Sequence, residues 1–268
     1  MVRYHGTMKI NTVTIDINAD IGLGFEGENT THEEKVAQRA TSVNIACGLH
    51  GGDPAMMKRC VDLALKHDLV VGASIGIPNL MGLGDMGLGD MSLTPKKVSP
   101  KKSFVQVLYQ IGALSAFAKA AGTSLQQVKL YGPLYDASIA DHELASAVAS
   151  ALASVDSQLT VLAPAKSALL TAAEEAGLRA AVELPITEAF SRGEDADANA
   201  GSAESAAGQL APAVLAGEIA SISIDSGQDY AVMKLDELRR ALHKAGISPA
   251  PLVTSASANL PDLPASEG

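Results

Sequence analysis

Short apolar runs alternate with longer segments of helical periodicity along most of the chain. The run at 69–73 is rich in Val, which is typical of a buried strand, whereas residues 104–121 place Leu108, Ile111 and Leu114 on one face of a helix. The pattern predicts strands at 13–20, 43–47, 69–73, 127–131, 159–162, 178–184 and 219–224, and helices at 33–40, 54–67, 104–121, 141–153, 166–176, 203–215 and 235–245.

Strand–helix units in series predict a parallel sheet with helical crossovers. Seven such units in one domain favour a closed (β/α)7 barrel, TIM-like, over residues 8–248. An open doubly wound sheet is the alternative. Gly22 and Gly24 form only a fragment of the glycine-rich phosphate fingerprint, which disfavours dinucleotide binding.

Two segments stand apart from the predicted barrel. Residues 81–90 contain MGLGD twice in succession, which predicts either a mobile lid over the site or an insertion without function. Residues 249–268 are rich in Pro, Ala and Ser and are predicted to form a disordered tail.

Composition narrows the class of protein. Hydrophobic residues make up 47% of the 268 residues, but only 3% are aromatic and Trp is absent, so an aliphatic core is expected. The net charge of −10 and the lack of stacking platforms disfavour nucleic acid. No run reaches the roughly 18 apolar residues of a membrane span. The only cysteines, Cys47 and Cys60, suit a reducing compartment, and we expect a cytoplasmic protein.

The first predicted strand carries three polar side chains on one face. Asp16, Asn18 and Asp20 alternate with apolar residues and should point into the barrel. Two carboxylates on one face can bind a metal, share a proton or divide acid and base roles, or they can simply bond to backbone N–H groups. Because barrel active sites lie at the carboxyl ends of strands, we predict that all three face a cavity at the barrel mouth.

A glycine-rich loop, NIACGLHGGD, follows the second strand. His50 in this loop is a candidate acid, base or ligand, although a lone loop histidine is more often a surface residue. Asn44 and Gly52 are candidate substrate-binding positions, since glycine allows close approach of a ligand. Asp53, directly before Pro54, is predicted to cap the next helix.

Lys129 and Tyr131 share one face at the end of the fourth strand. Lys129 can hold a carboxylate or carbonyl oxygen, or pair with an aspartate of the first strand. Both residues are candidate substrate-binding positions. Cys47 lies at an apolar strand end and is predicted to be buried and inert rather than a nucleophile.

These clusters resemble the signatures of the LamB/YcsF family. The matching segments, over about residues 10–247, are DINADIGLGF at 16–25, NIACGLHGGDP at 44–54, VLYQIGALSAF at 107–117 and VKLYGPLYD at 128–136. The resemblance implies a (β/α)7 barrel of the glycoside hydrolase/deacetylase type. The best-known family role is that of the A subunit of a bacterial 5-oxoprolinase, which opens the lactam of 5-oxoproline using ATP together with B and C subunits.

The resemblance therefore implies ATP use through partner subunits, a small lactam substrate, and partners like the B and C subunits of 5-oxoprolinase; a second copy of this chain is a further candidate partner. The chain departs from the family pattern where Leu23 replaces a Glu and where Ser74, Tyr131 and Asp225 replace His. These changes leave two alternatives open: a structural or regulatory member that has lost the chemistry, or a hydrolase like the carbohydrate deacetylases.

Metal binding is expected to be weak or absent. The candidate ligands are Asp16, Asp20 and His50, but a tight site prefers about three protein ligands with imidazole among them. Since the sequence lacks a phosphate-binding loop, the isolated chain is expected not to hydrolyse ATP.

Overall fold

The computed structural model describes residues 13–24, 30–78, 98–187 and 210–252. The strands are β1 (Val13–Ile21), β2 (Ser42–Ala46), β3 (Val70–Ile75), β4 (Gln127–Leu130), β5 (Thr160–Ala163), β6 (Arg179–Pro185), β7 (Ser221–Asp225) and β8 (Ile247–Pro249). The helices are α1 (Thr31–Ala37), α2 (Pro54–Lys66), α3 (Pro100–Ala120), α4 (Gly132–Ala140), α5 (His142–Val155), α6 (Ala168–Glu175) and α7 (Ala231–Lys244). Residues 210–215 are also helical.

Strands β1 to β7 form a closed ring in which every neighbouring pair is parallel. The ring closes because β1 pairs with β7 on one side and with β2 on the other. The predicted (β/α)7 barrel is confirmed, and the open-sheet alternative is wrong.

The alternation along β1 divides the interior into two parts. Ile15, Ile17 and Ile21 are buried in the main apolar core, which lies between the barrel and its helices. Asp16 and Asn18 project to the opposite face, into the barrel, where they are completely buried. The largest fully buried side chains are all Ile or Leu, so the predicted aliphatic core is confirmed.

Several boundaries differ from the prediction. Helix α4 directly follows β4 and had no counterpart in the predicted pattern, although Pro133 suits a first helical turn. Pro249, assigned to the tail, ends β8, and the Ala250 N–H donates to the Ile15 carbonyl oxygen at 2.9 Å. The repeat at 81–90, residues 203–209 of a predicted helix and 253–268 of the tail lie outside the described residues.

Among the helices of the described ranges, none combines the length and the apolar character that a bilayer crossing demands.

Candidate active site

The lowest polar layer of the barrel, toward the N-terminal ends of the strands, surrounds Asp16. Its Oδ1 accepts hydrogen bonds from Thr41 Oγ1 at 2.6 Å and Ser42 Oγ at 2.8 Å, and its Oδ2 accepts one from Ser221 Oγ. Burial raises the pKa of Asp16, and these three hydroxyl groups offset that effect only in part. Asp16 is therefore well supplied with partners and closed off from solvent.

Amide side chains form the middle layer. Asn44 Nδ2 donates to Asn18 Oδ1 at 2.7 Å and to Asp20 Oδ1 at 3.1 Å. Gln127 Nε2 donates to Asn44 Oδ1 at 2.9 Å, and Asn18 Nδ2 donates to Ser221 Oγ at 2.7 Å. These bonds occupy the amides of Asn18 and Asn44, which connect the lower layer to the upper one.

The upper layer holds one ammonium group between two carboxyl groups. Lys129 Nζ lies 2.8 Å from Asp20 Oδ2 and 3.4 Å from Glu183 Oε1, and the Lys129, Asp20 and Glu183 side chains are 11%, 4% and 0% exposed. Burial by itself lowers the pKa of Lys129, but Asp20 and Glu183 together outweigh burial and hold the pKa above its usual value. Lys129 is therefore a fixed positive charge at the barrel mouth.

Glu183 is a site residue that sequence reasoning missed. It lies at ion-pair distance from Lys129, yet neither carboxyl oxygen receives a hydrogen bond of good geometry from the residues that the structure describes. Burial raises the pKa of Glu183, and the charge of Lys129 and, more weakly, the Ser223 hydroxyl offset this only in part. A buried, poorly satisfied carboxyl group with a raised pKa suits a general acid.

His50 and Tyr131 stack beside this group, with ring centroids 4.8 Å apart and 24° between the planes. Ser74 Oγ lies 3.4 Å from His50 Nε2. Gly76 leaves room for the imidazole, since a Cβ there would lie 2.6 Å from His50 Cγ. Burial lowers the pKa of His50, and the charge of Asp20 offsets this in part, so the ring is neutral near neutral pH.

A cavity of about 330 Å³ opens above the upper layer. Its charged lining residues are Asp20, Lys129, Glu183 and Asp225. Its aromatic lining residues are Tyr131, Tyr135 and Tyr230. Burial, followed by the nearby charge of Asp225, raises the pKa of the Tyr131 hydroxyl. The cavity therefore combines a buried acid, a fixed ammonium and phenol groups in one small space.

The structure corrects the predicted placement of the first-strand side chains. Asp16, Asn18 and Asp20 all project inward, as predicted, but only Asp20 lines the cavity. Because a strand rises about 3.3 Å per residue, Asp16 lies roughly 13 Å from Asp20 along β1. Asp16 therefore cannot share a reacting atom with Asp20, and the prediction that it stands at the mouth is wrong.

The candidate metal ligands do not converge. Asp16 is in the lower layer, while Asp20 is paired with the Lys129 ammonium, which repels a cation. Within the described ranges, no three His, Cys, Asp or Glu side chains are arranged to hold a metal ion. The residues present in this part of the chain therefore do not fit a metal.

The other loop residues serve the fold. Gly52 has a φ of 76°, and a Cβ there would lie 2.7 Å from the Gly22 carbonyl oxygen, so this glycine docks the loop on β1 rather than lining the cavity. Asp53 caps α2 by accepting from the Met56 N–H at 2.8 Å, as predicted. Burial raises the pKa of the Cys47 thiol well above its usual value, which agrees with an inert cysteine.

Comparison with known proteins identifies the family of this barrel. The profile of the LamB/YcsF family matches residues 15–194, more than half of the chain. This chain belongs to the LamB/YcsF family. It is 39% identical over 176 residues to the 5-oxoprolinase A subunit from Pyrococcus abyssi, covering 66% of each chain. It is 42% identical over 171 residues to its counterpart from Geobacillus kaustophilus, covering 64% of this chain and 63% of that one.

These matches span just under two thirds of the length of both curated relatives. A crystal structure of a lactam utilization protein from Thermus thermophilus matches with a TM-score of 0.73 and 31% identity. That match covers 88% of this chain and 99% of the other, so the two proteins share one fold over most of their length.

The positions at which this chain departs from the family pattern are grouped in space. Ser74 contacts His50, Tyr131 stacks on it, and Asp225 lines the same cavity as Tyr131. Leu23 is separate from them, since its carbonyl oxygen accepts from the Gly52 N–H at 3.2 Å. Of the altered LamB/YcsF positions, Tyr131 and Asp225 change the wall of the cavity and Ser74 changes the contact to His50, while Lys129, Asp20 and Glu183 are left intact.

Proposed function

We propose that this chain is the component of an ATP-dependent lactam hydrolase that corresponds to the 5-oxoprolinase A subunit, and that it opens 5-oxoproline or a related cyclic amide. The observation that carries the proposal is the buried group formed by Lys129, Asp20 and Glu183 beneath a cavity of suitable size. The names of the two curated relatives support the reaction class, and the Thermus protein's name supports a lactam.

Each member of the group has a chemical role in amide opening. Lys129 donates to the lactam carbonyl oxygen and stabilises the negative charge that develops there. Asp20 accepts a proton from the attacking water, whose oxygen forms the new bond to the carbonyl carbon. Glu183 gives its proton to the ring nitrogen as the carbon–nitrogen bond breaks. Ring opening consumes one water and releases an open-chain amino acid, and Glu183 regains a proton from solvent. ATP hydrolysis on the partner subunits consumes a second water and drives the opening.

His50 assists this cycle as a neutral imidazole. It stands close enough to Asp20 for the carboxylate charge to act on its pKa. A neutral ring can accept a proton at one nitrogen and release one from the other. In the proposed cycle, His50 therefore returns the proton from Asp20 toward solvent, and Tyr131 holds the ring in place.

ATP does not fit the cavity that this chain provides. The sequence has no phosphate-binding loop. Among the described residues that line the cavity, three are acidic and one is a lysine, a balance that repels a triphosphate. We therefore assign ATP to partner subunits of the B and C type, and assign to this chain the binding of the cyclic amide.

The experiment is reconstitution. This chain would be expressed with B- and C-type partners from the same genome, and amino acid release from a panel of lactams would be measured with and without ATP. We expect opening that needs ATP and all chains. Glu183→Gln should be slowed by about a hundredfold, and Asp62→Asn, which changes an exposed carboxylate on α2, should be fully active. If a correctly folded, assembled complex opens no lactam, the proposal is wrong, and a structural or regulatory role is favoured instead.

A further inference from the structure

A buried glutamine of α3 reaches the residue that follows β3. Gln110 is completely buried, and its Oε1 accepts from the Gly76 N–H at 3.1 Å. Its Nε2 donates to the Gly76 carbonyl oxygen at 2.8 Å and to the Gln106 carbonyl oxygen at 3.0 Å. Because Gly76 offers one donor and one acceptor, this pairing fixes which end of the amide is oxygen and which is nitrogen.

Gly76 in turn lies against the imidazole of His50. A Cβ at Gly76 would lie 2.7 Å from His50 Nδ1, so this stretch of backbone forms one wall around the ring. Tyr131 stacks on the ring, and its N–H donates to the carbonyl oxygen of Ile75, the residue before Gly76, at 2.8 Å. The end of β3 therefore supports both the imidazole and the tyrosine, and Gln110 holds the end of β3 in place.

The hydrogen-bonding capacity that Gln110 has left is that of an acceptor. Both hydrogens of its Nε2 go to backbone carbonyl oxygens, whereas Oε1 accepts one hydrogen bond and keeps a second lone pair. His50 Nδ1 is buried and has no hydrogen bond of good geometry within the described ranges. Burial lowers the pKa of His50 and the charge of Asp20 raises it, and contact with the Gln110 side chain adds to that rise. A loose contact of this kind can tighten when substrate binds.

We infer that Gln110 is a positioning residue, which accepts a hydrogen bond from the Nδ1–H of His50 and so leaves Nε2 as the nitrogen that takes up a proton. In the other tautomer, Nδ1 would be a second acceptor facing Oε1, and both atoms would be buried without a shared hydrogen. Ser74 Oγ lies 3.4 Å from Nε2 and can donate to it in the resting chain.

The role of this tautomer in catalysis rests on the proposed function, whereas the tautomer itself is a property of the chain alone. In the proposed cycle, the proton that Asp20 gives up enters the imidazole at Nε2 before it returns to solvent. A ring with its hydrogen already on Nε2 has no lone pair there, so it cannot take that proton until the tautomer changes.

Nuclear magnetic resonance on the isolated chain tests the tautomer without ATP or partners. With histidine labelled at its ring nitrogens, the spectrum shows which nitrogen carries the hydrogen, and His50→Gln identifies the signals of His50. Above the pKa of His50, we expect the hydrogen on Nδ1 in the wild type. Gln110→Met removes the acceptor and should shift His50 toward the Nε2–H tautomer and lower its pKa further. Gln106→Met, the same change one turn earlier on α3, should leave both unchanged.

Gln110→Glu separates positioning from a purely structural role. It keeps an acceptor beside Nδ1, so the hydrogen should stay on that nitrogen. The added carboxylate should raise the pKa of His50 above the wild-type value, opposite to the effect of Gln110→Met. Both variants remove the bonds to the carbonyl oxygens of Gly76 and Gln106, so both should lower the melting temperature. A residue that served the fold alone would not move the His50 signals in opposite directions, and the wild type and Gln110→Glu decide the question if Gln110→Met does not fold.

The reconstituted complex gives a second measurement. Gln110→Met should lower kcat for lactam opening by about tenfold, the effect of one lost neutral hydrogen bond. Its KM should stay within about twofold of wild type, because Gln110 does not contact substrate.

The outcomes separate the two proposals. A hydrogen on Nε2 in the wild type, or a tautomer that does not respond to Gln110→Met, overturns the inference and leaves lactam opening standing. A complex that opens no lactam instead contradicts the proposed function, while the His50 signals still decide whether Gln110 sets the tautomer.

Discussion

Asp16 and Asp20 lie on the same face of the same strand, yet their surroundings differ. Asp16 accepts hydrogen bonds from three hydroxyl groups and does not reach the cavity. Asp20 faces a lysine that it shares with Glu183, whose oxygens lack hydrogen bonds of good geometry within the described ranges. In the lower layer, neutral hydroxyl groups satisfy the carboxyl group by hydrogen bonding. In the upper layer, the charge of a lysine holds the two carboxyl groups.

In a polar barrel, the hydrogen bonding of a buried group distinguishes a structural role from a chemical one. A buried polar group without its hydrogen bonds costs about 1–3 kcal/mol, so a satisfied layer stabilises the fold and an unsatisfied layer does not. Carboxyl groups with strongly perturbed pKa values in a cleft are candidate functional groups. We therefore assign architecture to Asp16 and its partners, and chemistry to Glu183 and its neighbours.

Lys129→Met should break the upper layer most severely. It leaves two buried carboxyl groups without their cation, so the free energy of unfolding should fall by about 3–5 kcal/mol. Lactam opening should fall by at least about a thousandfold. Urea denaturation and the reconstituted assay measure the two effects. Adding Asp20→Asn should recover part of the stability; a near wild-type urea midpoint for Lys129→Met alone would contradict the proposed role of Lys129.

Asp20→Asn and Asp16→Asn test the comparison directly, because they make the same change on one strand. Asp20→Asn should lower the rate of lactam opening by about a hundredfold or more, whereas Asp16→Asn should change it by less than about threefold. Initial rates at saturating substrate decide between them. Equal losses in both variants would mean that the lower layer takes part in the chemistry.

Glu183→Gln should remove the acid while keeping its shape. Opening should slow by about a hundredfold, and the free energy of unfolding at neutral pH should stay the same or rise, since a buried carboxyl group is replaced by a neutral amide. Because the pKa of Glu183 is raised, wild-type activity should decline as pH rises through that pKa. A pH–rate profile that keeps this decline in the variant would exclude Glu183 as the acid.

Asp16→Asn should also give the smallest effect, a change in how stability depends on pH. The raised pKa of Asp16 means that the folded chain binds more protons than the unfolded chain between the two pKa values. The contribution of Asp16 to the free energy of unfolding is therefore fully present below its pKa in the unfolded chain, and it is lost as pH rises through its pKa in the folded chain. The variant should gain stability relative to wild type from acid toward neutral pH, as measured by thermal unfolding, and a constant difference would contradict this.

Much of the architecture could be predicted from the sequence because its signals are local. The alternation in β1 predicts which side chains face inward, and Asp53 before Pro54 predicts the start of α2. The resemblance of the signature segments to the LamB/YcsF family was confirmed by the match over residues 15–194. Neither signal indicates how deep a residue lies along the barrel axis. For this reason the sequence predicted Asp16 at the barrel mouth together with Asp20.

Glu183 could not be found in this way. It is the one acidic residue of β6, which is apolar after its exposed first residue, Arg179, and so resembles an ordinary buried strand. Its role depends on its ion pair with Lys129, which lies two strands away in the barrel order. One signal was available: burying a carboxyl group in such a run costs free energy unless it is paired. This predicts that Glu183 has a partner, but not which residue the partner is.

The position of β1 between early and late strands has a consequence for how the barrel forms. Its first residues pair with β8, its middle with β7 and its end with β2. The hydrogen bond from Ser221 to Asp16 joins residues 205 positions apart, so β1 leaves the ribosome long before most of its neighbours exist. Contacts of such sequence separation slow folding. We expect β1 to stay unpaired, with its polar side chains hydrated, until the later strands form. Ring closure, rather than formation of any single strand–helix unit, should then limit the folding rate.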